Sequence, residues 1–69
     1  MEAVVLLSII PGRKEASERS EMTTQLLFGE RLVILDRKDD WAFVESRVDG
    51  YTCWVNNLQI RRLSILEAQ

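Results

Sequence analysis

Apolar residues in this chain come in short runs separated by polar or charged punctuation, and no run keeps a helical period over a useful length. The central run, Leu32-Val33-Ile34-Leu35, is too short for an ordinary helix. Its centre is β-branched and charges flank it, so it reads as a buried strand. Just before it, Gly29 follows the apolar knot Leu26-Leu27-Phe28, where a residue free to adopt positive φ lets the backbone turn sharply. The expected second strand therefore covers residues 27–36, bent at Gly29, with residues 21–25 leading into it.

The other runs are read the same way. Residues 3–10 form an expected first strand, ended by Pro11-Gly12, because proline cannot donate to a sheet ladder. Residues 13–20 are polar and predict a surface loop. A helical turn there is the weaker alternative, for want of an apolar stripe. Arg37-Lys38-Asp39-Asp40 suits a hairpin connection, and residues 41–47 a third strand rich in aromatic and β-branched side chains. Asp49-Gly50 is a hairpin turn signal, leading into a fourth strand over residues 51–55. After Asn56-Asn57 a single 3₁₀ turn is expected, then a last strand over residues 60–66 and a frayed tail over 67–69. A C-terminal helix beginning at Arg61 is the alternative for that last segment.

About five short strands with turn signals between them predict an all-β domain, a small barrel or sandwich. Alternation puts Ala42 and Val44 on one face of the third strand and Trp41, Phe43 and Glu45 on the other. Tyr51, Cys53 and Val55 likewise oppose Thr52 and Trp54. So small a barrel cannot enclose every bulky group, and one or two of Trp41, Phe43, Tyr51 and Trp54 are expected to lie partly open.

Composition narrows the function classes. Sixty-nine residues make one small domain, with a core expected over residues 3–66. With one cysteine and no histidine, the chain has no internal disulfide and no conventional Cys/His zinc site. The same absence removes the Cys–His pair that a thiol peptidase needs, so the chain is read as non-catalytic, with no cofactor and no metal. Cys53, on a strand, reads as a small core residue. A formal net charge of −2 and scattered basic pairs argue against nucleic-acid binding. No run is long enough to span a bilayer, and the opening Met1-Glu2 does not resemble a signal peptide.

Three pieces of the chain resemble a bacterial SH3-like domain over residues 4–60. Pro11-Gly12-Arg13, followed by Ser20-Glu21-Met22-Thr23-Thr24-Gln25-Leu26-Leu27-Phe28-Gly29-Glu30, is similar to a block of the modules found N-terminal to NlpC-type cell-wall cysteine peptidases. The other two pieces are Asp40-Trp41 with Val44, and Asp49-Gly50-Tyr51-Thr52-Cys53-Trp54. Cys53 stands where the family pattern has glycine, which puts any close approach of a ligand at that position in question.

The resemblance implies a barrel excised from a longer secreted parent, at the periplasm or cell envelope. Its partner would be a peptidoglycan stem peptide or a linked catalytic domain that cuts γ-D-glutamyl-L-diamino-acid bonds. Glu21 is the candidate for the peptide's free amine, since a carboxylate and an ammonium make a charge-assisted hydrogen bond; a turn cap is its structural alternative. Tyr51 offers a hydroxyl and a ring wall, or is an edge aromatic whose hydroxyl reaches water. Trp41 stands where SH3-like folds place a groove tryptophan, or it packs over the hairpin. Arg13 is either a bidentate clamp for a carboxylate or one half of a rim salt bridge with Glu15 or Glu30. The rival reading is an interaction domain whose apolar surface docks on a catalytic neighbour.

Overall fold

The computed structural model describes residues 1–64. They form seven strands: β1 (Glu2–Val5), β2 (Ile9–Arg13), β3 (Met22–Leu27), β4 (Arg31–Lys38), β5 (Trp41–Ser46), β6 (Thr52–Asn56) and β7 (Ile60–Arg62). A 3₁₀ turn over Asn57–Gln59 precedes β7 and is capped by the Asn56 side chain, which accepts from the Leu58 amide. The strands pair antiparallel in the order β3-β2-β6-β5-β4-β1-β7.

The sheet curls until its inner face packs on itself. Ala3, Val5, Ile10, Leu26, Leu32, Ala42, Val44, Cys53, Val55 and Ile60 form one buried cluster, so side chains from both outermost strands, β3 and β7, share a core. The core is aliphatic apart from Cys53. Every aromatic residue lies outside it, including Trp41, Phe43, Tyr51 and Trp54, all at least partly exposed. Crowding thus expels more rings than the one or two expected.

The seven strands are the expected all-β barrel cut more finely, and each extra cut has a cause. Residues 3–10 do not run through. Ala3 and Val5 point inward but so does Ile10, and a continuous strand cannot place odd and even positions on one face. The chain breaks at residues 6–8, with Leu6 and Leu7 exposed. Pro11-Gly12 lies inside β2 instead of ending it. Phe28 donates to the Ser8 carbonyl at 3.1 Å, which makes Ser8/Phe28, Ile10/Leu26 and Gly12/Thr24 the hydrogen-bonded pairs of this hairpin. Pro11, opposite Gln25, therefore sits where β3 asks for no amide proton.

Gly29, at φ +83°, reverses the chain instead of bending a strand, and Glu30 donates back to the Leu27 carbonyl. Leu27 thus belongs to β3, and residues 22–25, expected as a lead-in, form most of that strand. Leu26 alone of the apolar knot is buried; Leu27 and Phe28 are exposed. The hairpin after β4 is tighter than expected. Arg37 and Lys38 stay paired with Ala42 and Trp41, leaving Asp39-Asp40 as the turn, with Asp39 at φ 54°. At Asp49-Gly50 the expected turn forms: Gly50 takes φ +77° and donates to the Ser46 carbonyl. Arg61 and Arg62 are strand, so no helix begins at Arg61. The last strand stops at Arg62, short of the expected 60–66, with Leu63 and Ser64 outside it; residues 65–66 and the 67–69 tail lie outside the described residues.

Candidate functional site

Alternation along β5 and β6 sends Trp41, Phe43, Trp54 and Asn56 to the outer face of the barrel. The register then sets them in rows. Arg13 on β2 lies opposite Trp54, and Trp54 lies opposite Phe43, so three neighbouring strands carry a cation beside two mutually tilted rings. The Phe43 and Trp54 centroids are 5.2 Å apart with planes inclined by 43°, a geometry in which aromatic pairs attract. Trp41, one row along, lies opposite Asn56.

The connection between β2 and β3 folds onto this surface and is tied down through Arg13. Its Nη1 donates to the Ser20 carbonyl at 3.0 Å, and its Nη2 lies 3.6 Å from the Glu18 carboxylate. Glu18 in turn accepts from the Asn56 side-chain amide at 3.4 Å. The ion pair expected with Glu15 or Glu30 forms instead with Glu18, because the loop curls back over Arg13. This guanidinium is occupied by its own loop, and its Nε is buried without a partner among the described residues. Arg13 thus organises the loop that carries Glu21.

Glu21 is exposed at the base of that loop. Its backbone carbonyl accepts from the Lys14 amide at 2.9 Å, so the hairpin fixes its backbone and leaves the carboxylate outside. The backbone contact comes from its carbonyl, and among the described residues its carboxylate accepts no backbone N–H of the turn. Tyr51 is 45% exposed. Its amide donates to the Asp49 carboxylate at 3.0 Å and its carbonyl accepts from the Ser46 amide at 2.9 Å. Arg13, opposite Trp54, ends β2, and the chain leaves the strand at Lys14, to which Glu21 is bonded. Trp41 lies at the other end of the β5/β6 hairpin from Tyr51, opposite Asn56, some five residues or roughly 17 Å along the strand. Trp41 is therefore set apart from Tyr51, while Arg13 lies opposite Trp54 and is bonded to Ser20, next to Glu21. Glu18 and Asn56, around Arg13 and Trp41, were not singled out from sequence, whereas strand alternation sets Phe43 opposite in face to Ala42 and Val44, and Trp54 opposite in face to Cys53 and Val55. The parity that Asn56 shares with Trp54 is the sequence signal that could have marked it, and no local signal marks Glu18.

Cys53 points inward. An added Cβ on Gly12 would stand 2.6 Å from Cys53 Sγ and 2.7 Å from Thr24 Cγ2, so the thiol fills the space that Gly12 leaves. The side chain at position 53 is buried and does not obstruct a ligand on the outer face. Burial, then the negative charge of Glu30, pushes the Cys53 thiol up to about 11, which leaves it protonated and a poor nucleophile at neutral pH. Burial and the nearby Asp49 charge raise the Glu30 carboxyl as well, and one Glu30 oxygen is buried without a partner among the described residues.

Residues 12–60, well over half of the chain, match the family of the bacterial dipeptidyl-peptidase SH3 domain. The chain belongs to this SH3 family. Its members are typically non-catalytic accessory domains of peptidases. The match starts inside β2, yet the SH3 core also takes Ala3 and Val5 from β1, so the folded unit reaches beyond the matched segment. No curated protein matches the chain. Among the described residues no helix is long and apolar enough to cross a membrane.

Proposed function

We propose that this SH3 domain helps to hold a peptidoglycan stem peptide for a cell-wall peptidase whose catalytic residues lie elsewhere in a longer secreted parent. The observation that carries the reading is the placement of Glu21: an exposed carboxylate on a backbone pinned by Lys14, beside a loop anchored by Arg13. With the backbone fixed, only the Glu21 side chain has to order when its carboxylate meets an ammonium group. Tyr51, exposed just before β6, supplies a hydroxyl and a ring edge for the peptide that follows the amine. Trp41 lies too far along the barrel to touch the same short peptide, and the Arg13 guanidinium, bonded to Ser20 beside Glu21, is already engaged by its own loop. In this reading they keep the aromatic surface and its loop in place.

Titrating the ¹⁵N-labelled domain with L-Ala-γ-D-Glu-diaminopimelate tests the proposal. Amide shifts centred on Glu21 and Tyr51, abolished by Glu21→Gln, are expected. Shifts confined to Trp41, Phe43 and Trp54 would move the site to the aromatic rows and refute the assignment.

A second reading has its own support. Leu6 donates to the Gln59 carbonyl, which brings the exposed Leu6 and Leu7 beside the 3₁₀ turn and its exposed Leu58. Such an apolar patch suits docking on a catalytic neighbour. Under that reading, Leu58→Asp in the parent peptidase loosens the two domains and leaves binding of the isolated domain to peptide unchanged.

A further inference from the structure

The two edges of the sheet are built differently. β7 is three residues long and two of them are arginine. β3, at the other edge, is six residues long, Met-Thr-Thr-Gln-Leu-Leu, with neither a charge nor a proline. An exposed edge presents unpaired N–H and C=O groups to any other strand, and natural sheets usually blunt it with brevity, charge, proline or a bulge. β7 is blunted by the first two. In β3 the register irregularity falls at Gly12/Arg13, beside Met22, and leaves Thr24 to Leu27 regular.

Pairing decides which groups are on offer. Because Thr24, Leu26 and Phe28 spend their backbone groups on β2, the N–H and C=O of Gln25 point away from it, toward the open edge. Gln25 also lies on the outer face, opposite Pro11, with the exposed Leu27 two residues on. The strand matches itself. Its centre is a residue whose side-chain amide both donates and accepts, and apolar groups stand at both ends: Met22 at 50% exposed, Leu27 at 58% and Phe28, just beyond, at 69%.

We infer that β3 is a pairing edge for β3 of a second copy of this chain, antiparallel about a two-fold axis through Gln25. That register makes Gln25 a hydrogen-bonded pair with its own copy, keeps both outer faces on the same side of the joined sheet, and sets Thr23 opposite Leu27 of the second copy. Met22 then meets Phe28 of the second copy, and sulfur–aromatic contact is favourable. Every residue of the strand is neutral, so a chain of net charge −2 brings no like charges together along the seam. A two-fold pairing of this kind closes on itself and stops at the dimer.

Sedimentation equilibrium on the full chain, from about 10 µM to about 1 mM, tests the inference in the range where a single strand seam should hold. The expected result is a mass rising from one copy to two, with a Gln25→Lys variant, which sets two ammonium groups face to face, at least about tenfold weaker. Circular dichroism of the variant confirms that its fold is retained. As a readout independent of any variant, exchange of the Gln25 amide proton slows with protein concentration. The Leu58 amide, bonded within its own chain to Asn56, does not change. A single-copy mass across the whole range overturns the inference. So does a dimer whose strength is unaltered in Gln25→Lys while Gln25 exchange ignores concentration.

Discussion

At the scale of single residues, the tightest constraint is the exchange of volume between Gly12 and Cys53. A Cβ at position 12 has no room against Sγ at 2.6 Å, so Gly12→Ala is an overpacking change. It should cost about 1–3 kcal/mol, read as a lower urea midpoint with an unchanged slope. Adding Cys53→Ala removes the sulfur and should return part of that loss, a coupling that a double-mutant cycle detects. Independent, additive losses would show that the two sites do not share the space.

Nothing in the chain's pattern linked these two positions, which lie far apart in sequence. The inward parity of Cys53 was legible from alternation with Thr52 and Trp54, whereas its pairing with a particular glycine is a fact of three-dimensional closure. The thiol also carries a pH signature. Unfolded, it ionises near the ordinary value of 9.0; folded, near about 11. As pH rises the unfolded chain loses its proton first, so the Cys53 contribution to stability is intact below about 9 and is lost as pH climbs to about 11. Denaturation of the wild type against Cys53→Ala across that window should show the gap narrowing. A constant gap would mean that the folded thiol is not shielded.

At the scale of elements, turn chemistry was more legible than strand ends. Asp49-Gly50 and Gly29 both turn where the residue types say they should, because positive φ costs glycine almost nothing. Gly50→Ala places a Cβ on a backbone at φ +77° with no steric contact nearby, so its penalty is conformational alone, about 1 kcal/mol by thermal or urea denaturation. A neutral result would imply that the hairpin shifts to another turn. The misjudged boundaries have physical reasons. Proline is excluded from a ladder only where its proton is wanted; at Pro11 β3 bonds to the flanking residues, and β6 pairs with β2 at Arg13 and not at Pro11. The break at residues 6–8 showed itself only as a parity conflict between Val5 and Ile10, which no local signal announces. Arg37 and Lys38 looked like loop residues because they are charged, yet they extend an outer edge of the β4/β5 hairpin where charge is solvated.

At the scale of the whole molecule, an aliphatic interior explains both how the chain folds and where it can act. The barrel is too narrow for rings, so its aromatic side chains are left on the surface, and polar residues from distant segments gather around them. The class of fold was readable because strand periodicity and turn residues agree along the chain. The layout of the site was only partly readable. Exposure of Glu21 and Tyr51 follows from loop and turn composition. The separation of Trp41 from Tyr51, and the capture of Arg13 by Glu18, follow from strand register and loop folding, which sequence spacing does not specify.

The proposed role of the SH3 domain stands on the Glu21 carboxylate receiving a free amine. Isothermal titration calorimetry with two forms of one stem peptide, free or N-acetylated at its terminal alanine, addresses it most directly. Acetylation removes the positive charge and should weaken binding at least about tenfold, and Glu21→Gln should erase the difference between the two peptides. Equal affinities for both peptides in the wild-type domain would contradict the account.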